Sequence, residues 1–495
     1  MTTQTHVRHP DKLFIDGRWV DASTSARFEV LNSATEELFL TVPEAREDDI
    51  EAAVRAARNA FDHGPWPQMS HAERAAVMHR IADEIDRRAD LLARTWTTES
   101  GVLHSIARAR MPMLTAEYRG VADLHQTFPF HERHESKSGG SVALLVREPV
   151  GVVAAIVPWN APAATIASKV APALLAGCTL IVKASPEAPG AAYILAEACE
   201  AAGLPPGVVN ILTADREVSE LLVRHPGVDK IAFTGSTAAG RRIASLCGER
   251  IARCTLELGG KSPGLVLDDC DIPQVAKTIC DRAMVLSGQV CVALTRIIVT
   301  RARHDALAEA LGACFRAVRV GDPFDPQSQM GPLVSAQHRE RVMGYIERGR
   351  ADGARLLAGG GRPKHLERGF FVEPTLFTNV DNQSSIAREE IFGPVLSILV
   401  ADDEEHAVSI ANDTIYGLNA SVFTHDAERA YHLARRIRSG QVGHNGVRSE
   451  MTLCFGGFKQ SGIGREGGSE GLRHYLESKV IVLDSLPPSL ERTLG

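Results

Sequence analysis

The sequence predicts an α/β protein built from two alternating domains. Three observations carry this. Residues 150–260 alternate between short apolar, β-rich runs and stretches of helical period, and a second alternating series runs from Lys261 to about residue 460. The third is length: 495 residues are too many for one hydrophobic core. In the first series VGVVAAIV leads through PWN into the helical APAATIASKVAPALLAG. The strand CTLIVKAS, the helix GAAYILAEACEAAG and the strand VVNILTA follow. REVSELLVRH then reads as helix, VDKIAFTGS as strand, AAGRRIASLCG as helix and RCTLELGG as strand. Strands joined by helices need right-handed crossovers and a parallel sheet. The layout is Rossmann-like and doubly wound, with ligands expected at the carboxyl ends of its strands.

The second series, with TRIIVT, the helix HDALAEALGACFRAV, FFVEPTLF, VLSILVA and NASVFT, predicts a second α/β domain over 261–461. The N-terminal residues open with a hairpin-like LFIDGRWVDA and become helical in DDIEAAVRAARNAF and ERAAVMHRIADEIDRRADLLARTWTTES. Residues 1–126 and 150–260 are therefore assigned to one discontinuous cofactor domain. The polar, then β-like 127–149 and the tail 477–495, which opens around SKVIVLD, form a small β oligomerisation arm, so a homodimer or homotetramer is expected.

Composition narrows the function. With 44% hydrophobic and 23% charged residues the chain is of the globular class. A net charge of −7, with no long basic run, argues against nucleic acid or an anionic membrane as partner. The apolar stretch 151–178 is broken by Pro158, Trp159, Asn160 and Lys169, so it reads as strand, turn and buried helix instead of a membrane span. The start MTTQTHVRHPDKL has no apolar signal-peptide region, and nine scattered cysteines without a CxxC pair fit a reducing cytoplasm.

Chemistry concentrates at a few strand ends. FTGSTAAG places Gly235, Ser236 and Gly240 between a strand and a helix, where a phosphate contact or an ordinary turn both fit. Lys183, just past an apolar strand, fits a ribose contact or plain solvation. Glu257 ends the strand of LELGGKSP: among apolar neighbours its pKa would rise to suit a general base, while a surface glutamate is the plainer reading. Asn160 of PWN is either a donor to an oxyanion or a turn former. Cys291 in SGQVCVALTR is either a buried structural thiol or a nucleophile. Together the three supply nucleophile, base and oxyanion donor in one chain.

Those residues, with GDPFDPQSQMGPLVS, GFFVEPTLF, EEIFGPV and CFGGFKQSGIGREGG in this order, resemble the NAD(P)-dependent aldehyde dehydrogenase superfamily over nearly the whole length. Cys291 also follows Glu257 by 34 residues, as in that family. The resemblance implies that Cys291 attacks an aldehyde and that Asn160 and the Cys291 N–H hold the oxyanion. After hydride loss, Glu257 activates the water that hydrolyses the thioester. It further implies that NAD is contacted by Ile156, Pro158, Trp159, Lys183, Ser185, Glu187, Gly235, Ser236, Gly240, Leu258, Gly259, Glu390 and Phe392. No metal is implied, and no HExxH cluster is present.

Two departures stand out. Many members carry a glutamate three residues after the ribose lysine; here Pro186 holds that place and the acid is Glu187, so NADP stays open beside NAD. Cys454 replaces the proline that usually precedes the FGGFKQSG run. Val290, Val292, Met111, Tyr118, Met451 and Phe458 outline an apolar substrate tunnel, or else belong to the core. With no arginine cluster to hold a second carboxylate, an apolar aliphatic, aromatic or terpenoid aldehyde is expected. The alternatives are a CoA-acylating semialdehyde dehydrogenase, which would not need Glu257, and a catalytically silent structural relative.

Overall fold

The computed structural model describes residues 7–137, 139–488 and 490. The first six residues and the last five of the expected tail therefore lie outside the described residues. Five strands form the parallel heart of an eight-stranded sheet, in the spatial order Arg253–Glu257, Lys230–Thr234, Val152–Ile156, Thr179–Ala184, Val209–Thr213. The chain order reverses between Val152–Ile156 and Lys230–Thr234, which opens a crevice at their carboxyl ends. Each residue of Val152–Ile156 and of Thr179–Ala184 is buried, because helices cover both sheet faces. That is why these strands read as unbroken apolar runs instead of alternating ones.

The helix Pro162–Ala176 starts with proline in its first turn and stops at Gly177, whose φ of +98° is the left-handed cap that ends it. The hairpin Leu13–Ile15 with Arg18–Val20 docks antiparallel on Val209–Thr213, and Gly462–Ile463 closes the opposite edge on Arg253–Glu257. Neither addition was expected from local pattern. The long N-terminal helical stretch divides at Arg88 into His71–Arg87 and Ala89–Ser100.

A second sheet of seven strands runs Arg355–Ala358, Thr375–Thr378, Val395–Ala401, Leu294–Thr300, Ser262–Val266, Asn419–Phe423, Gln441–His444, parallel except at its first strand. Of FFVEPTLF only Thr375–Thr378 is strand. Outside both of these sheets, Val142–Pro149 pairs antiparallel with His131–His134 on one side and Leu476–Leu483 on the other. Among the described residues no helix is long and apolar enough to cross a membrane.

Candidate active site

Strand ends of the first sheet and a loop of the second converge on one spot. Glu257 is the last residue of its strand, and Asn160 follows the end of Val152–Ile156. Cys291 lies between the turn Val285–Gly288 and strand Leu294–Thr300. That turn is strained: Leu286, Ser287 and Gly288 have φ of 50°, 54° and 74° in succession. Such backbone persists only when its surroundings fix it, and here they do. The Ser287 hydroxyl donates to the Gly331 carbonyl at 2.8 Å. The buried Gln289 side chain donates to the Leu286 carbonyl at 2.8 Å and accepts from the Val334 N–H at 3.0 Å.

The Asn160 amide nitrogen donates to the Gln289 carbonyl at 2.9 Å, two residues from Cys291. An amide NH₂ has two hydrogens, so this bond fixes the group and leaves its second donor for an oxygen beside the sulfur. The PWN loop is itself tied down: Trp159 accepts from the Ser100 hydroxyl at 2.7 Å and Asn160 from the Trp96 indole at 2.8 Å.

Cys291 is half-buried, and burial with the nearby Glu390 and Glu257 carboxylates pushes its thiol up to about 12. The N–H groups of Cys291 and Val292 oppose that shift by pointing at the sulfur. Glu257 is 3% exposed, and both its carboxylate oxygens lack a hydrogen-bond partner among the described residues. Burial first, then the like charge of Glu466, raises it well above the ordinary glutamate value, while Lys169 and Arg465 pull the other way. An unpartnered buried carboxylate costs stability and calls for explanation; a base waiting for a proton supplies one. Gly456, at φ +151°, backs it so closely that a Cβ there would lie 2.6 Å from Oε1.

Glu390 folds onto the same backbone: its Oε1 accepts from the Gly260 N–H at 2.9 Å, and burial raises it to about 7. A side chain on Gly259 would strike this carboxylate, and one on Gly260 would strike the Cys291 carbonyl. Leu258 packs over Gly240, where a Cβ would sit 2.5 Å from Cδ2. Ser236 caps the helix Thr237–Glu249, accepting from the Ala239 N–H at 3.3 Å, so that helix points its unpaired first N–H groups into the crevice. Lys183 is buried, lowered to about 8 by desolvation, and faces Glu187 and Asp215; Glu187 accepts from the Ser185 hydroxyl. Phe392, itself at φ 65°, stands edge-on to Trp159 at 5.5 Å between ring centres.

The candidate tunnel residues separate. Val290 and Val292 flank Cys291, Phe458 is 41% exposed beside Gly417, and Met451 lies on the late loop. Met111 and Tyr118 are instead core: both point from helix His104–Asp123 into the first domain's interior, and Tyr118, 1% exposed, lies against Leu114, Ala163 and Ile166. Their spacing marks the buried stripe of that helix, and Val290 packs against the same cluster.

Sequence reading missed a buried ion pair next to Glu257. Lys169 donates to Glu466 at 2.5 Å and to the Thr234 hydroxyl at 2.6 Å, and Ser168 donates to the other Glu466 oxygen at 2.9 Å. A signal existed, since a lysine inside the apolar helix TIASKVAPALL must find a buried partner. His338 was also missed. Burial lowers it to about 4, so it is neutral and donates to the Phe392 carbonyl at 2.7 Å, completing an aromatic group with Trp159.

The model of the aldehyde dehydrogenase family matches residues 19–481. The chain belongs to the aldehyde dehydrogenase family. A geranial dehydrogenase of Castellaniella defragrans is 43% identical, over 95% of this chain and 98% of its own. A Mycobacterium tuberculosis aldehyde dehydrogenase solved with NAD+ superposes with a TM-score of 0.92 at 42% identity, covering 96% of this chain and 98% of that one. A Pseudomonas syringae aldehyde dehydrogenase C mutant, solved with NAD+ and octanal, gives 0.93 at 39% identity over 98% and 99%. In this aldehyde dehydrogenase the glycines of Leu258–Gly259–Gly260 bring the strand ending at Glu257, the Glu390 carboxylate and the Cys291 backbone within contact.

Proposed function

We propose that this aldehyde dehydrogenase oxidises an apolar aldehyde to the carboxylic acid with NAD+, through a thioester on Cys291 that water hydrolyses. The observation that carries the reading is the buried, unpartnered Glu257 carboxylate, close enough to Cys291 for its charge to bear on the thiol.

The Cys291 S–H bond breaks with its proton passing to solvent, the thiolate adds to the aldehyde carbon, and the second Asn160 N–H with the Cys291 backbone N–H holds the resulting oxyanion. Loss of hydride leaves the thioester. Glu257 then takes a proton from water and hydroxide adds to the thioester carbon; as the C–S bond breaks, the carboxylate departs, the hydroxide's proton returns to sulfur, and Glu257 loses its proton to solvent. NAD+, when bound, supplies the hydride acceptor. The crevice suits a dinucleotide: capped helix N-terminus, small residues at Gly235 and Gly240, and carboxylates for ribose hydroxyls. Gly235, Ser236 and Gly240 would hold the pyrophosphate. Lys183, Ser185 and Glu187 would hold the adenosine ribose, with Ile156, Pro158 and Trp159 along the wall. Leu258, Gly259, Glu390 and Phe392 would hold the nicotinamide end. Glu187 favours NAD+ over NADP+ by repelling a 2′-phosphate.

An apolar substrate is supported by Val290 and Val292 beside the sulfur, by Phe458 and Met451 on the late loop, and by the geranial and octanal of the two relatives. Assembly into a homodimer or homotetramer is supported by the arm, whose edge strand Leu476–Leu483 leaves Val480 and Val482 exposed. Nine free cysteines support a reducing cytoplasm. The test is the near-ultraviolet absorbance rise, at about 340 nm, of reduced nicotinamide with octanal and NAD+, beside Cys291→Ala and beside added CoA. A rise in the parent alone, independent of CoA, is expected; a rise that requires CoA overturns the hydrolytic step.

A further inference from the structure

The last turn of helix Ala89–Ser100 holds the loop that carries Asn160. Trp96 and Ser100 are four residues apart, so both stand on one face of that helix. Their donors meet consecutive carbonyls: the Ser100 hydroxyl donates to that of Trp159 at 2.7 Å, and the Trp96 indole to that of Asn160 at 2.8 Å. Both side chains are buried, and a buried indole N–H needs an acceptor, which the Asn160 carbonyl supplies. On the same turn Glu99 accepts from the Gly190 N–H at 2.9 Å, tying the helix to the start of Gly190–Ala201. The residue that ends the helix, Gly101 at φ +75°, backs on Gly331, where a side chain would strike the Gly101 carbonyl. The Gly331 carbonyl in turn accepts from Ser287, in the strained turn ahead of Cys291. One helix end therefore gauges both sides of the spot where the oxyanion would form, Asn160 on one and the Cys291 turn on the other.

Resting on the reading of Asn160 as the oxyanion donor, we propose that Trp96 is a positioning residue for that donor. Asn160 is gripped at two points: its backbone carbonyl by the Trp96 indole, and its side-chain amide by the Gln289 carbonyl at 2.9 Å. With the second grip alone the residue pivots about its amide, and the free N–H swings away from the aldehyde oxygen. With both, that N–H has one direction. The effect falls on the step that builds negative charge on the oxygen, because a donor works there only if it is already aimed. Ser100 grips the neighbouring carbonyl of Trp159, on the proposed cofactor wall, so one helix face keeps donor and wall in register. Trp96 touches no reacting atom and acts through Asn160.

The experiment follows the burst of reduced nicotinamide by stopped flow, with octanal and NAD+, in the parent, Trp96→Phe, Asn160→Ala and the double variant. Trp96→Phe keeps an aromatic ring and loses the N–H. Its burst should slow about 10- to 100-fold, the effect of a donor displaced by about 1 Å, while NAD+ affinity by equilibrium titration stays within about twofold of the parent. In the Asn160→Ala background the same change should slow the burst no further, since the group it positions is gone. A merely structural role would slow both backgrounds alike. A Trp96→Phe burst within about twofold of the parent, an equal slowing in both backgrounds, or NAD+ affinity that falls in step with the burst overturns the proposal. If Trp96→Phe does not fold, benzothienylalanine in place of Trp96, which keeps the bicyclic shape and puts sulfur where the N–H was, decides by the same criteria. Failure of the underlying reading shows separately, as an Asn160→Ala burst at the parent's rate, and overturns the proposal with it.

Discussion

Glu257→Gln tests the division of labour in the site. Glutamine has the same size, so the tight backing by Gly456 and the strand end are preserved, while the ability to accept a proton is lost. Among the described residues neither carboxylate oxygen has a partner to lose, so little structural penalty attaches to the change. A placed base contributes about 100- to 10,000-fold to proton transfer; a loss of about 1,000-fold in thioester hydrolysis, or about 4 kcal/mol of barrier, is expected. The first step should respond in the opposite sense. The Glu257 charge is one of the causes that raise the Cys291 thiol, so removing it makes the thiolate easier to form. Stopped-flow absorbance with octanal and NAD+ should therefore show a full burst, no slower than the parent's, followed by an almost flat steady state. The parent's hydrolysis should fall as pH drops through the raised Glu257 pKa, because only the ionised form accepts a proton; the variant should lack that limb. A steady state within twofold of the parent, or a burst lost together with it, would refute the reasoning.

Lys169→Met strands Glu466 as an uncompensated buried charge and should destabilise the fold by about 3–5 kcal/mol, read by denaturant unfolding. Where the variant is folded, loss of a cation that lowers Glu257 should shift the acid limb of kcat to higher pH. Glu187→Gln should reduce discrimination against NADP+ by about 5- to 10-fold, roughly 1 kcal/mol, in the ratio of kcat/KM values for the two cofactors; an unchanged ratio places the 2′-discrimination elsewhere. Glu99, fully buried with one oxygen unpartnered among the described residues, is raised from 4.5 to about 8 by desolvation. Its folded pKa is the higher one, so stability present below pH 4.5 is lost as pH rises towards 8, at up to about 1.4 kcal/mol per pH unit. Glu99→Gln should thus melt progressively higher than the parent across that window, and a constant Tm difference would contradict it.

The alternation of residues 150–260 was legible because both sheet faces are covered, which forces whole strands to be apolar and sets them off from the helices between. The edges were not. Leu13–Ile15 and Gly462–Ile463 join the first sheet from opposite ends of the chain, and three or two residues carry no periodicity that could announce a partner so distant. Likewise the core role of Met111 and Tyr118 depends on which side of their helix meets the body of the domain, a question that spacing alone leaves open.

At the site, the residues proposed to act on the substrate sit in short motifs whose chemistry is local: a cysteine after a strained turn, a glutamate at a strand end, an asparagine after Pro–Trp. What surrounds them is assembled from separate places. Glu257 comes from the first sheet, its glycine backing from Gly456, the cation from Lys169 and the neighbouring charge from Glu466. Each is unremarkable in its own segment, and only the fold turns a lysine in an apolar helix and a glutamate in a glycine-rich loop into a buried pair. That pair sets the protonation of Glu257 from both directions, Glu466 raising it and Lys169 lowering it. The proposed base, raised first by burial, is further tuned by two residues that must be changed separately: a Glu466→Gln variant should lower the Glu257 limb where Lys169→Met raises it, and opposite shifts in the kcat–pH profile would establish that the balance, not burial alone, sets the working range.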